Sequence, residues 1–317
     1  MIKIVIDTKF VGHPESQVGS FKIGPYWEFT RPHTIIGTTI TVITMFLITI
    51  GNVFAISEED VILLLLTLIS SLLANVYIVG LNQYYDVEID KVNKPYLPLA
   101  SGDLTFKSAR IIIASSAILS MLLAVIVSIW LLLVVVTGMG IGTFYSIPLT
   151  RYKGNPAIAA FSIAFVRGVL GNIGLYLSYS SVLSSVKNIF PIIVFLTIYV
   201  LVFSLVIALF KDIPDLEGDK KYNIMTLTVR MGRKSVFDLT IIMLVMNYSF
   251  AIITGVFISG IWNQLLMVGL HIIILAVFYR RTKKVDMADR IDLWKFYKKI
   301  WHFFYLEYIV LIFVVLL

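Results

Sequence analysis

The stretch LNQYYDVEIDKVNKPYLPLASG, residues 81–102, decides how the chain is read. It follows an apolar run long enough to cross a bilayer, yet Asp86, Glu88 and Asp90 lie close together in it. Asn82, Asp86 and Asp90 are spaced four and four. On a helix, positions four apart share a face, with Cβ atoms about 5–6 Å apart. If the helix of that run continues past the hydrocarbon, these three side chains form one polar stripe at its mouth.

Outward from this stretch, the chain is dominated by similar runs. A helix needs about 20 apolar residues to cross a ~30 Å hydrocarbon core. Of the 317 residues, 59% are hydrophobic and only 14% charged, too little polar surface for a soluble domain of this size. The runs are continuous and lack the period-two alternation of a barrel, which makes this an all-α membrane protein. Nine transmembrane helices are predicted, near 34–56, 61–83, 108–128, 130–149, 157–179, 189–211, 236–258, 262–280 and 298–317. The third and fourth are so close that they must form a tight hairpin. Residues 1–24 read as an N-terminal segment and 25–317 as a single nine-helix domain. The first 25 residues hold no apolar core with a cleavage site and are not Arg- and Ser-rich, so neither a signal nor a transit peptide is predicted.

Basic residues orient the bundle. Of the 26 Lys and Arg, 24 lie in or beside the N-terminus and the loops 84–107, 150–156, 212–235 and 281–297. Lys187 lies on the other side and Arg167 lies inside a span. The positive-inside rule then places the long loops, as a polar cap, on the cytoplasmic or equivalent face. The net charge of +7 follows from this bias and is not a nucleic-acid footprint. The absence of cysteine excludes disulfides, a thiolate nucleophile and a zinc–sulfur site.

A second acidic cluster, FKDIPDLEGDKKYN at 210–223, closes the sixth span on that same side. Asp212, Asp215 and Asp219 are spaced three and four, one face if the segment is helical, although Pro214 and Gly218 predict a break nearby. Solvated acids have no reason to recur at helical spacing at the ends of two spans. Carboxylates brought together repel unless a cation sits among them. An all-oxygen set suits Mg²⁺, which is held by one or two carboxylates plus substrate phosphates. The 12-residue calcium loop is absent. Lys91, Lys94, Lys211, Lys220 and Lys221 flank the acids, and Arg151 and Lys153 lie in YSIPLTRYKGNP on the same side. Such donors suit a diphosphate.

Two arginines stand apart. Arg167, in FVRGVLGNIG, sits inside a span, where a charge costs roughly 2.5–3.5 kcal/mol. It must face the bundle interior and support the site, form a structural ion pair, or lie shallow and snorkel. Arg31, in FTRPHTIIG, precedes a proline that fixes a helix start. A role near the phosphates or the second substrate competes with snorkelling.

Together these motifs resemble the UbiA superfamily of intramembrane prenyltransferases, whose acidic motifs have the forms N-x-x-x-D-x-x-x-D and D-x-x-D-x-x-x-D. More narrowly, the chain resembles the homogentisate prenyltransferases of tocopherol and plastoquinone synthesis. The similar stretches are TRPHTIIGTT, ANVYIVGLNQYYDVEIDKVNKPYLPLASGD, FKDIPDLEGDKKYNIMTLTVRMG and FYKKIWHFFYLEY, spread over residues 30–308. The resemblance departs at Tyr145-Ser146-Ile147-Pro148-Leu149, where relatives carry a second proline, and at Gly154, where they carry a second basic residue.

The resemblance implies a UbiA-type bundle and Mg²⁺-dependent transfer of a phytyl or geranylgeranyl group from its diphosphate to a small aromatic acceptor, homogentisate first. Asn82, Asp86, Asp90, Asp212, Asp215 and Asp219 would hold Mg²⁺, with Asp86, Asp90, Asp212 and Asp215 as the catalytic carboxylates. Lys94, Arg151, Lys153 and Lys211 would contact the phosphates. Arg31, Tyr145 and Arg167 would line the acceptor pocket. The expected location is a prokaryotic inner or thylakoid-type membrane, with lipid as the medium of the donor tail. Transfer to archaeal geranylgeranylglyceryl phosphate, hydroxybenzoate or dihydroxynaphthoate remains open. An ion-coupled transporter would instead carry its acids near the bilayer midplane.

Overall fold

A computed structural model describes residues 24–150, 152–183, 189–221, 225–258 and 260–317. Among these, nine helices are long and apolar enough to span a bilayer. They are α1 (Pro32–Ile50), α2 (Glu58–Asn93), α3 (Phe106–Val127), α4 (Ile129–Ser146), α5 (Pro156–Ser180), α6 (Phe190–Phe210), α7 (Arg233–Val256), α8 (Ile261–Thr282) and α9 (Arg290–Leu316). The chain is an integral multi-pass membrane protein of the predicted class.

Local chemistry sets the helix ends. Pro32 opens α1, and Gly51, at φ 68°, closes it by donating its N–H to Leu47 O at 3.1 Å. A left-handed glycine stops a helix because it carries no Cβ to clash there. The first span is therefore shorter than the predicted 34–56. Ser57 and Asp60 form a reciprocal capping box at the start of α2. Ser128, extended at φ −169°, ends α3 and caps α4, so one residue makes the predicted tight hairpin.

The largest departure from the predicted boundaries is at the basic end. α2 runs to Asn93 rather than stopping near 83, and α9 begins at Arg290 rather than 298. Hydropathy ends where charge begins, whereas backbone hydrogen bonding does not. These two extensions build much of the polar cap.

The helices close into a ring. α1 packs on α2, α2 on α4, α4 on α5, α5 on α6, α6 on α7, α7 on α8, α8 on α9, and α9 returns to α1. α3 lies outside, against α2 and α4. Phe203, Tyr199, Tyr248 and Phe304 fill the core around α6. A buried pair, His271 and Glu307 at 3.0 Å, ties α8 to α9.

α5 is not a uniform helix. Residues Val166–Gly174 widen into a π-helical stretch. Asn172 holds it by donating to Gly168 O at 2.8 Å, and the Tyr308 hydroxyl of α9 donates to Asn172 Oδ1 at 3.2 Å. A Cβ on Gly168 would lie 2.6 Å from Leu201 Cγ of α6, so only glycine permits this approach. The stretch thereby lies close on α6.

Candidate active site

The site forms where α2, α6 and α9 reach the basic end of the ring. Asn82, Asp86 and Asp90 share one face of the last turns of α2, as their spacing predicts. Asn82 links two elements: its Oδ1 accepts from Arg31 Nη2 at 3.2 Å, and its Nδ2 donates to Asp86 Oδ2 at 3.0 Å. Lys153, on the short turn Tyr152–Gly154, donates to Asp86 Oδ1. Asp90 is only 6% exposed and faces Arg31, Lys94, Asp86 and Lys153.

The second motif is built differently from the helical face that spacing three and four suggested. α6 ends at Phe210, and a new short helix, Leu216–Lys221, begins after a turn. Asp212 and Asp215 stand on that turn, because Pro214 has no N–H to continue the ladder. Asp219 follows on the short helix, its N–H donating to Asp215 O at 2.9 Å. Arg290, at the start of α9, reaches Asp215 Oδ1 at 3.4 Å.

Lys94 joins the two motifs. Its N–H closes α2 on Asp90 O at 2.7 Å, and its half-buried side chain lies in the fields of both Asp215 and Asp90. Burial, then the Arg31 charge, hold Lys94 below the usual lysine range against the pull of those acids. Lys211 lies beside Tyr145 and Asp212. The Tyr145 oxygen, then Asp212, hold it above the usual range despite burial. Burial raises Asp212 and Asp215. Burial, then the Asp212 and Asp215 charges, push Asp219 up to about 6.

Arg167 projects from the π-helical stretch onto α9. Its guanidinium lies 4.5 Å over the Trp301 ring. Trp301 also meets His33 of α1 edge to face at 5.5 Å, and the Tyr305 hydroxyl donates to His33 O at 2.7 Å. Arg167 therefore sits at the level of the first turn of α1. Arg151 lies outside the described residues. Lys91 pairs with Glu88 at 2.7 Å on an exposed face and takes no part in the cluster.

The donor set suits a hard cation. It consists of carboxylates and one amide oxygen, and Asp219 Oδ2 is buried with no hydrogen-bond partner. An acceptor left without a donor in a buried site is where a cation gains most. Among the described residues no three acids or imidazoles close on one point.

Arg290, Tyr96 and the Trp301 side chain were not singled out from the sequence. Tyr96 is half-buried and lies in the fields of Arg31, Asp215, Asp90 and Glu28, and burial raises its phenol above the usual range. A signal existed for one group: Tyr297, Trp301 and Tyr305 recur every four residues on α9. It is hidden among 21 Phe and 16 Tyr.

Comparisons with known proteins say what the whole chain is similar to. A sequence profile of the UbiA prenyltransferase family matches residues 38–306. Homogentisate phytyltransferase of Synechocystis sp. is 39% identical over 290 residues, 90% of this chain and 94% of that one. Chloroplastic homogentisate phytyltransferase 1 of Arabidopsis thaliana is 39% identical over 95% of this chain and 79% of its own length. The solved structure of a UbiA homolog from Archaeoglobus fulgidus bound to GPP and Mg²⁺ superposes with a TM-score of 0.63 at 17% identity, over 92% of this chain and 99% of that one.

Proposed function

Because this chain belongs to the UbiA prenyltransferase family, we propose that it transfers a phytyl or geranylgeranyl group from its diphosphate to homogentisate, in tocopherol or prenylquinone synthesis. That it is a prenyltransferase follows from the family. The acceptor rests on the relatives named homogentisate phytyltransferase. One observation carries the catalytic assignment: Lys94 lies within electrostatic reach of both Asp90 of the first motif and Asp215 of the second. Two acidic clusters and their cations therefore meet at one end of the ring, as binding of a diphosphate requires.

Asn82, Asp86, Asp90, Asp212, Asp215 and Asp219 would hold Mg²⁺, which neutralises the charge building on the leaving diphosphate. The A. fulgidus homolog bound to GPP and Mg²⁺ supports that choice of cation. Lys94, Lys153, Lys211 and Arg151 donate to phosphate oxygens, and Arg31 fixes Asn82 from across the mouth. As the allylic C–O bond breaks, its electron pair leaves with the diphosphate. The His33, Trp301, Tyr297 and Tyr305 rings then face the positive carbon and exclude water from it. π electrons of the acceptor ring close the new C–C bond, the attacked ring carbon gives up its proton, and the side-chain carboxylate leaves as CO₂ with a proton taking its place. A C20 tail favours lipid by ~0.8 kcal/mol per CH₂, so a membrane bundle suits such a donor. We place the site on the cytoplasmic face, because the basic residues crowd that end.

An acceptor screen tests the reading. Purified protein in lipid, with Mg²⁺ and labelled phytyl or geranylgeranyl diphosphate, is offered homogentisate, hydroxybenzoate, dihydroxynaphthoate and geranylgeranylglyceryl phosphate. A prenylated quinol should form with homogentisate alone. A product with the glyceryl phosphate alone would overturn it.

A further inference from the structure

Arg167 is the one membrane-embedded arginine, and among the described residues it makes no ion pair. The titratable groups nearest to it are four tyrosines, Tyr297, Tyr305, Tyr308 and Tyr145, and no carboxylate is among them. Its Nη1 is buried with no hydrogen-bond partner, so it does not snorkel to water. A buried guanidinium offers five N–H donors and takes planar anions in a two-point grip. Leaving such a cation uncompensated costs several kcal/mol.

Three features say what would compensate it. The Trp301 ring lies under the guanidinium at 4.5 Å, leaving its edge as the binding direction. The surroundings are aromatic, with His33, Tyr297 and Tyr305 packed around Trp301. Tyr297 lies in the fields of Arg167, Lys211 and Asp212 together, which connects this corner to the diphosphate end. A small aromatic ring bearing one carboxylate matches an aromatic niche with one unspent bidentate donor. A second diphosphate would need several cations around Arg167, and no lysine is among the principal groups that act on it.

We propose that Arg167 is the specificity residue for the acceptor, gripping its carboxylate while the ring lies against Trp301. This rests on the reading that the chain prenylates an aromatic acid. The π-helical stretch is then the device that turns this side chain inward, since such bulges recur at functional sites.

The test compares homogentisate with its methyl ester, which keeps the ring carbon to be prenylated and loses the charge; turnover is read for both as diphosphate release, because the ester cannot lose CO₂. Steady-state kinetics are measured for wild type, Arg167→Met and Arg167→Lys in lipid. Arg167→Met should lower kcat/KM for homogentisate about 100-fold, the scale of a lost bidentate charged contact. It should leave kcat/KM for the ester and the donor KM within about twofold, so acid-over-ester preference collapses toward one. Arg167→Lys should restore part of that preference. Equal losses for acid and ester would mean a structural role, and a raised donor KM would mean a diphosphate role. Either overturns the proposal while leaving the function standing. Failure of the wild type to turn over homogentisate would overturn both.

Discussion

Arg31 is the only non-glycine residue with positive φ among the described residues, at 51°. A side chain in that region costs on the order of 1–3 kcal/mol, and such strain collects at functional sites. Arg31 persists there because its guanidinium reaches Asn82 while its backbone starts α1. Glycine would adopt the same backbone freely. Arg31→Gly should therefore keep or slightly raise the thermal midpoint while lowering turnover at least 100-fold, read by thermal unfolding and product formation on one preparation. A falling midpoint with intact turnover would contradict this.

The second-motif acids give a pH prediction at the same scale. Asp212, Asp215 and Asp219 all have raised values, Asp219 to about 6. A carboxylate raised by folding stabilises the fold below its unfolded pKa, near 3.9, and that contribution is lost as pH rises through the folded value. The magnesium-free protein should thus lose stability between about pH 4 and 6 and change little above that. Mg²⁺ binds only the ionised form, so its apparent affinity should fall about tenfold per pH unit below 6 for each proton displaced. The rise in thermal midpoint on adding Mg²⁺ should be large at pH 7.5 and nearly absent at pH 5. An equal rise at both would refute the assignment.

At the scale of elements, the site depends on two irregularities that no periodicity encodes. One is the turn at 211–215, which sets Asp212 and Asp215 off any helix face. The other is the π-helical stretch of α5. FVRGVLGNIG shows an arginine and three glycines, but the extra residue per turn comes from packing. A Cβ on Gly168 would meet Leu201, including its backbone N at 3.2 Å, whereas one on Gly171 meets Thr41 Cγ2 at 3.5 Å and Val166 O at 3.6 Å, both ordinary contacts. Gly168→Ala should cost about 1–3 kcal/mol through overpacking, and Gly171→Ala should be neutral or mildly stabilising. Thermal midpoints of the two variants check this, and equal effects would contradict it.

For the whole molecule, the number of spans, the tight hairpin and the basic end were legible in the sequence, because hydropathy and charge follow directly from the bilayer. So was the face carrying Asn82, Asp86 and Asp90, since a four-residue period leaves few alternatives. Arg290 was not, because it reaches Asp215 across 75 residues of chain. Long-range contacts depend on ring closure, which no local pattern records. The chain has no cysteine, so single introduced thiols report sidedness directly. Leu149→Cys at the basic end and Phe54→Cys at the opposite end replace fully exposed side chains. In sealed inside-out vesicles an impermeant maleimide should label the first and spare the second. The reverse would move the site to the other face.

The central claim is that two acidic motifs grip one diphosphate together. It is tested most directly by the affinity of a non-ionising thiodiphosphate analogue of the donor, in Mg²⁺, for wild type, Asp86→Asn, Asp215→Asn and the double variant. Each single change should weaken binding at least tenfold, and the double variant should fall well short of the product of the two, as expected of coupled sites. Full additivity, or either motif being dispensable for binding, would contradict the account.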